Sequence, residues 1–155
     1  HKEYRRQRQM CIRDRYYTVP LGKADVKRPG EDITVFCYGL MVNYCLQAAD
    51  ILANDGIDVE VVDLRTVYPL DKATIIERSQ RTGKVLLVTE DNLEGSIMSE
   101  VSAIIAENCL FDLDAPIMRL AAPDVPSMPF SPTLENEIMM NPEKIQDKMR
   151  ELAQF

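Results

Sequence analysis

Tryptophan is absent from this chain, and histidine occurs once, at the first position. A Ser-His-Asp triad or a His-rich metal site would have to be built on His1 alone, which argues against both. The four cysteines, Cys11, Cys37, Cys45 and Cys109, form no C-x-x-C pair, and three lie inside apolar segments. They read as buried free thiols of a reducing compartment, so a cytoplasmic location is expected. No apolar run approaches the ~20 residues that span a bilayer, and no stretch has the form of a signal peptide. Neither a G-x-G-x-x-G nor a Walker loop follows any of the candidate strands.

What is present is charge of one sign. The net charge is -7 over 155 residues. Residues 1–15 carry Lys2, Arg5, Arg6, Arg8, Arg13 and Arg15 against Glu3 and Asp14, a balance of +4, so the remainder carries -11. A body this acidic disfavours nucleic acid and anionic membranes as partners and suits a basic protein surface. The basic leader has no hydrophobic period and no capping signal. It reads as a disordered or foreign segment, 1–15, ahead of one domain at 16–155.

Two apolar runs, Val59–Leu64 and Val85–Val88, flank an amphipathic helical stretch and together make a βαβ unit, which requires a parallel sheet covered by helices. Around it the order is regular. Tyr16–Val19 predicts an edge strand or extended lead-in cut by Pro20, and Lys27–Asp32 a turn. Ile33–Tyr38 is a strand. Met41–Asn54 is a helix with Val42, Cys45, Ala49, Leu52 and Ala53 on its buried face. The second strand spans Val59–Thr66. Asp71 is expected to cap a helix that runs to about Arg81 and closes at Gly83 in the left-handed region. Strand Val85–Thr89 leads into a polar loop, Glu90–Gly95. Ser96 then starts a helix to about Asn108, with Ile97, Val101, Ile104 and Ile105 inward. Pro116–Ala121 is the last strand. Pro123, Pro126, Pro129 and Pro132 predict an extended segment along the surface. Asn141-Pro142-Glu143 opens a closing helix that buries Ile145, Met149 and Leu152.

Ligands of open α/β sheets bind at the carboxyl ends of the strands. There, Glu90, Asp91 and Glu94 would repel a phosphate, so the loop reads as a solvated acidic surface or one that meets a basic partner, in preference to a cation site. Arg65, beside Asp63, reads as part of a local ion pair in preference to an anion site. No catalytic constellation can be assembled from the residues alone.

From Tyr17 to the end, the sequence resembles the C-terminal domain of the transketolase family. The motifs are Pro20-Leu21-Gly22-Lys23-Ala24, Asp32-Ile33-Thr34-Val35 with Tyr38-Gly39, Val62-Asp63-Leu64-Arg65-Thr66-Val67-Tyr68-Pro69-Leu70-Asp71, Glu94-Gly95-Ser96 and Asp114-Ala115-Pro116. Within the family it looks most like the beta subunits of bacterial 2-oxo acid dehydrogenases. Asp112-Leu113-Asp114-Ala115-Pro116 and the ending Met149–Phe155 are most similar to the branched-chain type. Pyruvate and acetoin dehydrogenase subunits, another transketolase-like enzyme, and a stand-alone α/β binding module are the alternatives.

The resemblance implies a three-layer α/β/α sandwich with a five-stranded, mostly parallel sheet whose first strand is antiparallel. It implies an oxidoreductase that decarboxylates 2-oxo acids oxidatively and transfers the acyl group to lipoyl groups. Thiamine diphosphate would be bound outside this region, between the alpha subunit and the beta subunit's N-terminal domain. It therefore assigns no catalytic, cofactor or metal residue here. The implied role is assembly: a heterotetramer with the alpha subunit and a second beta subunit, and docking of the dihydrolipoyl acyltransferase core. The implied docking residues are Asp112, Asp114 and Phe155, the last through the chain's terminal carboxylate.

Overall fold

The computed structural model describes residues 17–125 and 129–155. The leader 1–15, with His1 and Cys11, lies outside the described residues, as does Pro126. Five strands form one sheet: β1 (Asp25–Arg28), β2 (Ile33–Cys37), β3 (Val59–Asp63), β4 (Val85–Asn92) and β5 (Met118–Ala122). Their spatial order is β1-β3-β2-β4-β5. β1 runs antiparallel to β3, and every other pair is parallel. The expected three-layer α/β/α sandwich is what the chain forms.

Handedness decides which face each helix covers. The step from β2 to β3 and the step from β3 to β4 move across the sheet in opposite senses. With right-handed crossovers, the two connecting helices must lie on opposite faces. Helix α1 (Met41–Ala53) accordingly packs with the closing helix α5 (Pro142–Ala153) on one face. There Cys45, Ala48, Ala49, Leu52, Ile145, Met149 and Leu152 meet Val35, Val61, Leu86 and Val88. Helices α2 (Lys72–Thr82) and α3 (Ile97–Cys109) cover the other face. There Ile75, Met98, Val101 and Ile105 meet Phe36, Val62 and Leu87. The central strands are buried on both faces, which is why their sequences are continuous apolar runs and not alternations. Each fully buried Val, Leu or Ile contributes about 1.5–3 kcal/mol.

Several boundaries differ from the sequence reading. The antiparallel edge strand is Asp25–Arg28; residues 17–20 form no strand. Pro20 lacks a donor, and Leu21-Gly22 turns with Gly22 at φ +69° before pairing begins. Lys27 and Arg28 therefore close a strand, and the turn narrows to Pro29–Asp32. β4 continues through Glu90, Asp91 and Asn92, because Asn92 still pairs with Ala122 beyond a bulge. Ala53 is exposed and Ala48 takes its place inward, while Met98 is more buried than Ile97. Ser96 has the extended backbone of an N-cap but makes no capping hydrogen bond. Pro132 occupies the first turn of a short helix, α4 (Pro132–Ile138), where the sequence placed it in the extended proline segment. Asp71, Gly83 and Asn141 fall where the residues placed them.

Candidate functional site

The residues singled out for docking lie at the amino end of the sheet, opposite the carboxyl-end loops. α3 ends at Cys109, which is fully buried, and a 3-10 turn, Leu110–Asp112, follows. The next three residues thread between the two layers: Leu113 packs with the α2/α3 core and Ala115 with the α1/α5 core. Asp114, between them, is exposed. Its backbone N–H donates to the Gly83 carbonyl at 2.8 Å, which ties the link to the end of α2. Gly83 stands at φ +66° and donates its own N–H to Ser79 O at 3.1 Å. The Asp114 carboxylate rests against Gly83 so closely that a Cβ there would lie 2.4 Å from Asp114 Oδ2. Gln80 Nε2 donates to Asp112 Oδ2 at 2.9 Å, so both carboxylates are held against the last turn of α2.

This arrangement concentrates negative charge. A helix C-terminus carries about half a negative unit charge, and cations, not anions, are favourable there. The arginines of the same helix are committed elsewhere: Arg81 to Glu31 and Glu60, Arg78 to Glu60 and Glu77. Among the described residues no Lys or Arg side-chain nitrogen lies within 4.0 Å of a carboxylate oxygen of Asp112 or Asp114. The effect reaches the thiol behind them, because burial first and then the Asp112 charge push Cys109 up from its ordinary pKa. This corner is suited to receive cationic side chains from outside.

Phe155 follows α5 and is 60% exposed. Arg150, on the last turn of that helix, pairs with Asp55 at 2.7 Å, in the turn that leads into β3. α5 therefore ends at the amino side of the sheet as well. The structure brings Asp112 and Asp114 together on one link and sets Phe155 at the same end of the sheet, on the other layer.

The carboxyl end holds the remaining candidates. Arg65 takes a left-handed backbone, φ 56°, with its N–H donating to Asp63 Oδ1 at 2.9 Å. Its guanidinium reaches Asp25, not Asp63, at 2.6 Å. Lys27 meets the same Asp25 at 2.6 Å, and its hydrogen bond leads the causes that lower the Asp25 carboxyl. Thr66 Oγ1 donates to Pro69 O at 2.9 Å and accepts from Gly22 N at 3.0 Å, which closes the Arg65–Pro69 loop onto the lead-in. Glu90, Asp91 and Glu94 are exposed, and among the described residues no cluster of His, Cys, Asp or Glu has the makeup of a metal site. A cleft of about 250 Å³ between Leu40, Met41, Tyr44, Glu90 and Met140 offers apolar walls and one carboxylate. These residues do not suit a diphosphate, and no chemical step is assigned to them.

Residue patterns offered no signal for the contacts of Gln80 with Asp112 and Gly83 with Asp114. Both join positions about thirty residues apart that only the packing of α2 against α3 brings together.

Comparison with known proteins places the chain. Residues 22–145 match the model of the family described as "Transketolase, C-terminal domain". The chain is 67% identical over 139 residues to the 2-oxoisovalerate dehydrogenase subunit beta of Bacillus subtilis, covering 90% of this chain and 42% of that protein. It is 44% identical over 130 residues to the acetoin:2,6-dichlorophenolindophenol oxidoreductase subunit beta of the same organism, covering 84% and 38%. Among solved structures, a split gene transketolase, described as an inactive beta4 tetramer, superposes with a TM-score of 0.78 at 22% identity. That match covers 89% of this chain and 44% of that one, and speaks to the fold. The chain spans less than half the length of these relatives. It belongs to the transketolase C-terminal domain family.

Proposed function

We propose that the chain is the C-terminal assembly and docking domain of the beta subunit of a branched-chain 2-oxo acid dehydrogenase. The observation that carries this reading is the 67% identity to the 2-oxoisovalerate subunit, against 44% to the acetoin one. The complete enzyme would use thiamine diphosphate, held outside this chain, to decarboxylate a branched-chain 2-oxo acid in the cytoplasm and pass the acyl group to lipoyl groups. Within it, this domain joins the alpha subunit and a second beta subunit and receives the dihydrolipoyl acyltransferase core. The docking part rests on two exposed carboxylates that have no ion pair within 4.0 Å among the described residues. Asp112 and Asp114, with Phe155, accept Arg or Lys side chains from the acyltransferase's subunit-binding domain.

The test uses the intact heterotetramer titrated with that subunit-binding domain. Asp114→Asn and deletion of Phe155 are each expected to weaken binding at least tenfold while the melting temperature stays in place. Removing one partner of a desolvated charge pair costs roughly 2–5 kcal/mol. Unchanged affinity in both variants overturns the docking reading. The isolated chain is expected to have no decarboxylase activity. Micromolar binding of thiamine diphosphate to it, about -8 kcal/mol, would contradict the placement of the cofactor elsewhere.

A further inference from the structure

The link that carries Asp112 and Asp114 also presents an aromatic ring to water. Phe111 is 99% exposed and its neighbour Leu110 is 60% exposed. Single apolar residues on a surface are ordinary, but this one stands on a backbone fixed from every side. Cys109 is buried before it, Gln80 holds Asp112 after it, Leu113 enters the core, and the Asp114 N–H is tied to Gly83. The ordering of the backbone, a main entropic cost of binding, is already met in the free domain.

The surroundings state what would cover the ring. Phe111 lies next to Asp112, which with Asp114 has no ion-pair partner within 4.0 Å among the described residues, and Glu107, four residues earlier on α3, is exposed. An exposed aromatic inside a polar rim has the composition of an interface core, and the sign of the rim's charge sets the sign of the partner's. Nucleic acid and anionic lipid are repelled by that rim. A symmetric pairing with a second copy would set the Asp112 and Asp114 carboxylates of the two chains against each other. A basic protein surface remains. Phe130 is equally exposed, but no carboxylate adjoins it in the chain as Asp112 adjoins Phe111: Ser131, Pro132, Thr133 and Leu134 come before the first acid of α4, Glu135.

We propose that Phe111 is the apolar anchor of the docking surface. It enters a pocket on the basic partner, between the Arg or Lys side chains that pair with Asp112 and Asp114. Their aliphatic stems cover its edges, and a guanidinium would lie over its face. This inference rests on the docking reading above, and its partner is the same basic element.

The experiment titrates the intact heterotetramer with the isolated subunit-binding domain by calorimetry, comparing Phe111→Ser, Phe111→Leu and Asp114→Asn. Phe111→Ser is expected to weaken binding at least tenfold, with assembly by sedimentation and the melting temperature unchanged. Phe111→Leu keeps an apolar group and is expected to retain most of the affinity. If Asp114→Asn weakens binding and Phe111→Ser does not, the anchor is wrong and the docking reading stands. If neither variant weakens binding, the docking reading falls and takes the anchor with it. If Phe111→Ser dissociates the heterotetramer, the ring belongs to a subunit interface, which also overturns the proposal.

Discussion

Gly83 and Asp114 are in contact twice, through the hydrogen bond from the Asp114 N–H to the Gly83 carbonyl and through the carboxylate that lies where a Cβ would be. The glycine closes α2 in the left-handed region, and the carboxylate occupies the space that its missing side chain leaves. Helix termination and the presentation of a surface charge are therefore one structural event.

Gly83→Ala is expected to be costly for both reasons. A left-handed backbone costs an L-residue roughly 1–2 kcal/mol, and the new methyl must also displace Asp114 Oδ2 from 2.4 Å. A total loss of about 2–3 kcal/mol in urea unfolding is expected. Part of it is recovered in the double variant Gly83→Ala with Asp114→Ala, where the clash with the carboxylate is gone but the strain and a 3.2 Å contact with the Asp112 carbonyl remain. Strict additivity of the two changes would show that the carboxylate yields freely and that the contact is incidental.

Asp71 makes stability depend on acid. Burial works to raise its carboxyl, but hydrogen bonds from the Thr74 hydroxyl, the Ala24 N–H and the Thr74 N–H outweigh it and hold the group below the ordinary carboxylate value. A carboxyl lowered by folding contributes stability above the unfolded pKa and loses it as pH falls through the folded value. The melting temperature is therefore expected to drop below about pH 4. Asp25 is lowered too and acts in the same direction, so the informative quantity is the difference between wild type and Asp71→Asn. Asparagine still caps a helix, so at pH 7 the variant is expected to lose about 1 kcal/mol. That gap narrows toward pH 3. A gap independent of pH would mean that the carboxylate charge contributes nothing.

Glu60 is the one acidic residue of the central strands that is fully buried, on β3. It accepts from Arg81 Nη2 at 2.8 Å and from Thr34 Oγ1 at 3.1 Å, with Arg78 at 3.6 Å. The hydrogen bond to Glu60 is the main cause that raises Arg81 above its ordinary pKa. Removing one member of a buried pair strands the other. The arginines keep part of their hydration here, so Glu60→Gln is expected to cost about 2–3 kcal/mol. A double-mutant cycle with Arg81→Gln should show a coupling of about 1 kcal/mol or more. No coupling would assign the loss to Thr34 and Arg78.

Where the sequence was legible, local chemistry and tertiary packing agreed. Asp71 and Gly83 delimit α2, and Asn141 with Pro142 opens α5, because a side-chain acceptor, a left-handed residue and a fixed φ each satisfy orphan backbone groups without distant help. The apolar runs of β2, β3 and β4 identified the sheet for the same reason. β1 was not legible: Asp25-Val26-Lys27-Arg28 has the charge of a turn, and only pairing with β3 makes it a strand. Ser96 looked like a cap by type, yet its hydroxyl bonds no first-turn amide. Leu110 and Phe111 lie beyond the helix end near Asn108, and the residue pattern assigned them no face. The buried Cys109 before them and the tie at Asp114 after them leave both exposed. The candidate docking corner depends on contacts across about thirty residues, which no local pattern encodes.

The thiols offer a last check on the core. Cys37, Cys45 and Cys109 are free and fully buried. Burial, then the neighbouring Cys37 thiol, holds Cys45 well above its ordinary pKa, and Cys109 is raised as described. The thiolate is the reactive form, so both access and ionisation are suppressed. In a Cys11→Ser background at pH 7.5, an aromatic disulfide reagent should label none of the three in native protein on the scale of minutes. All three should react after guanidinium unfolding. In the native state the labelling rate should follow opening of the fold, because a buried thiol becomes available only when its packing is lost. Cys109 is expected to lead, since it sits beside the exposed 3-10 turn. Cys37 and Cys45, between β2 and α1, should follow together. Rapid labelling of Cys45 without loss of helical signal would show that α1 separates from the sheet in the native state and that the α1/α5 core is looser than its packing implies.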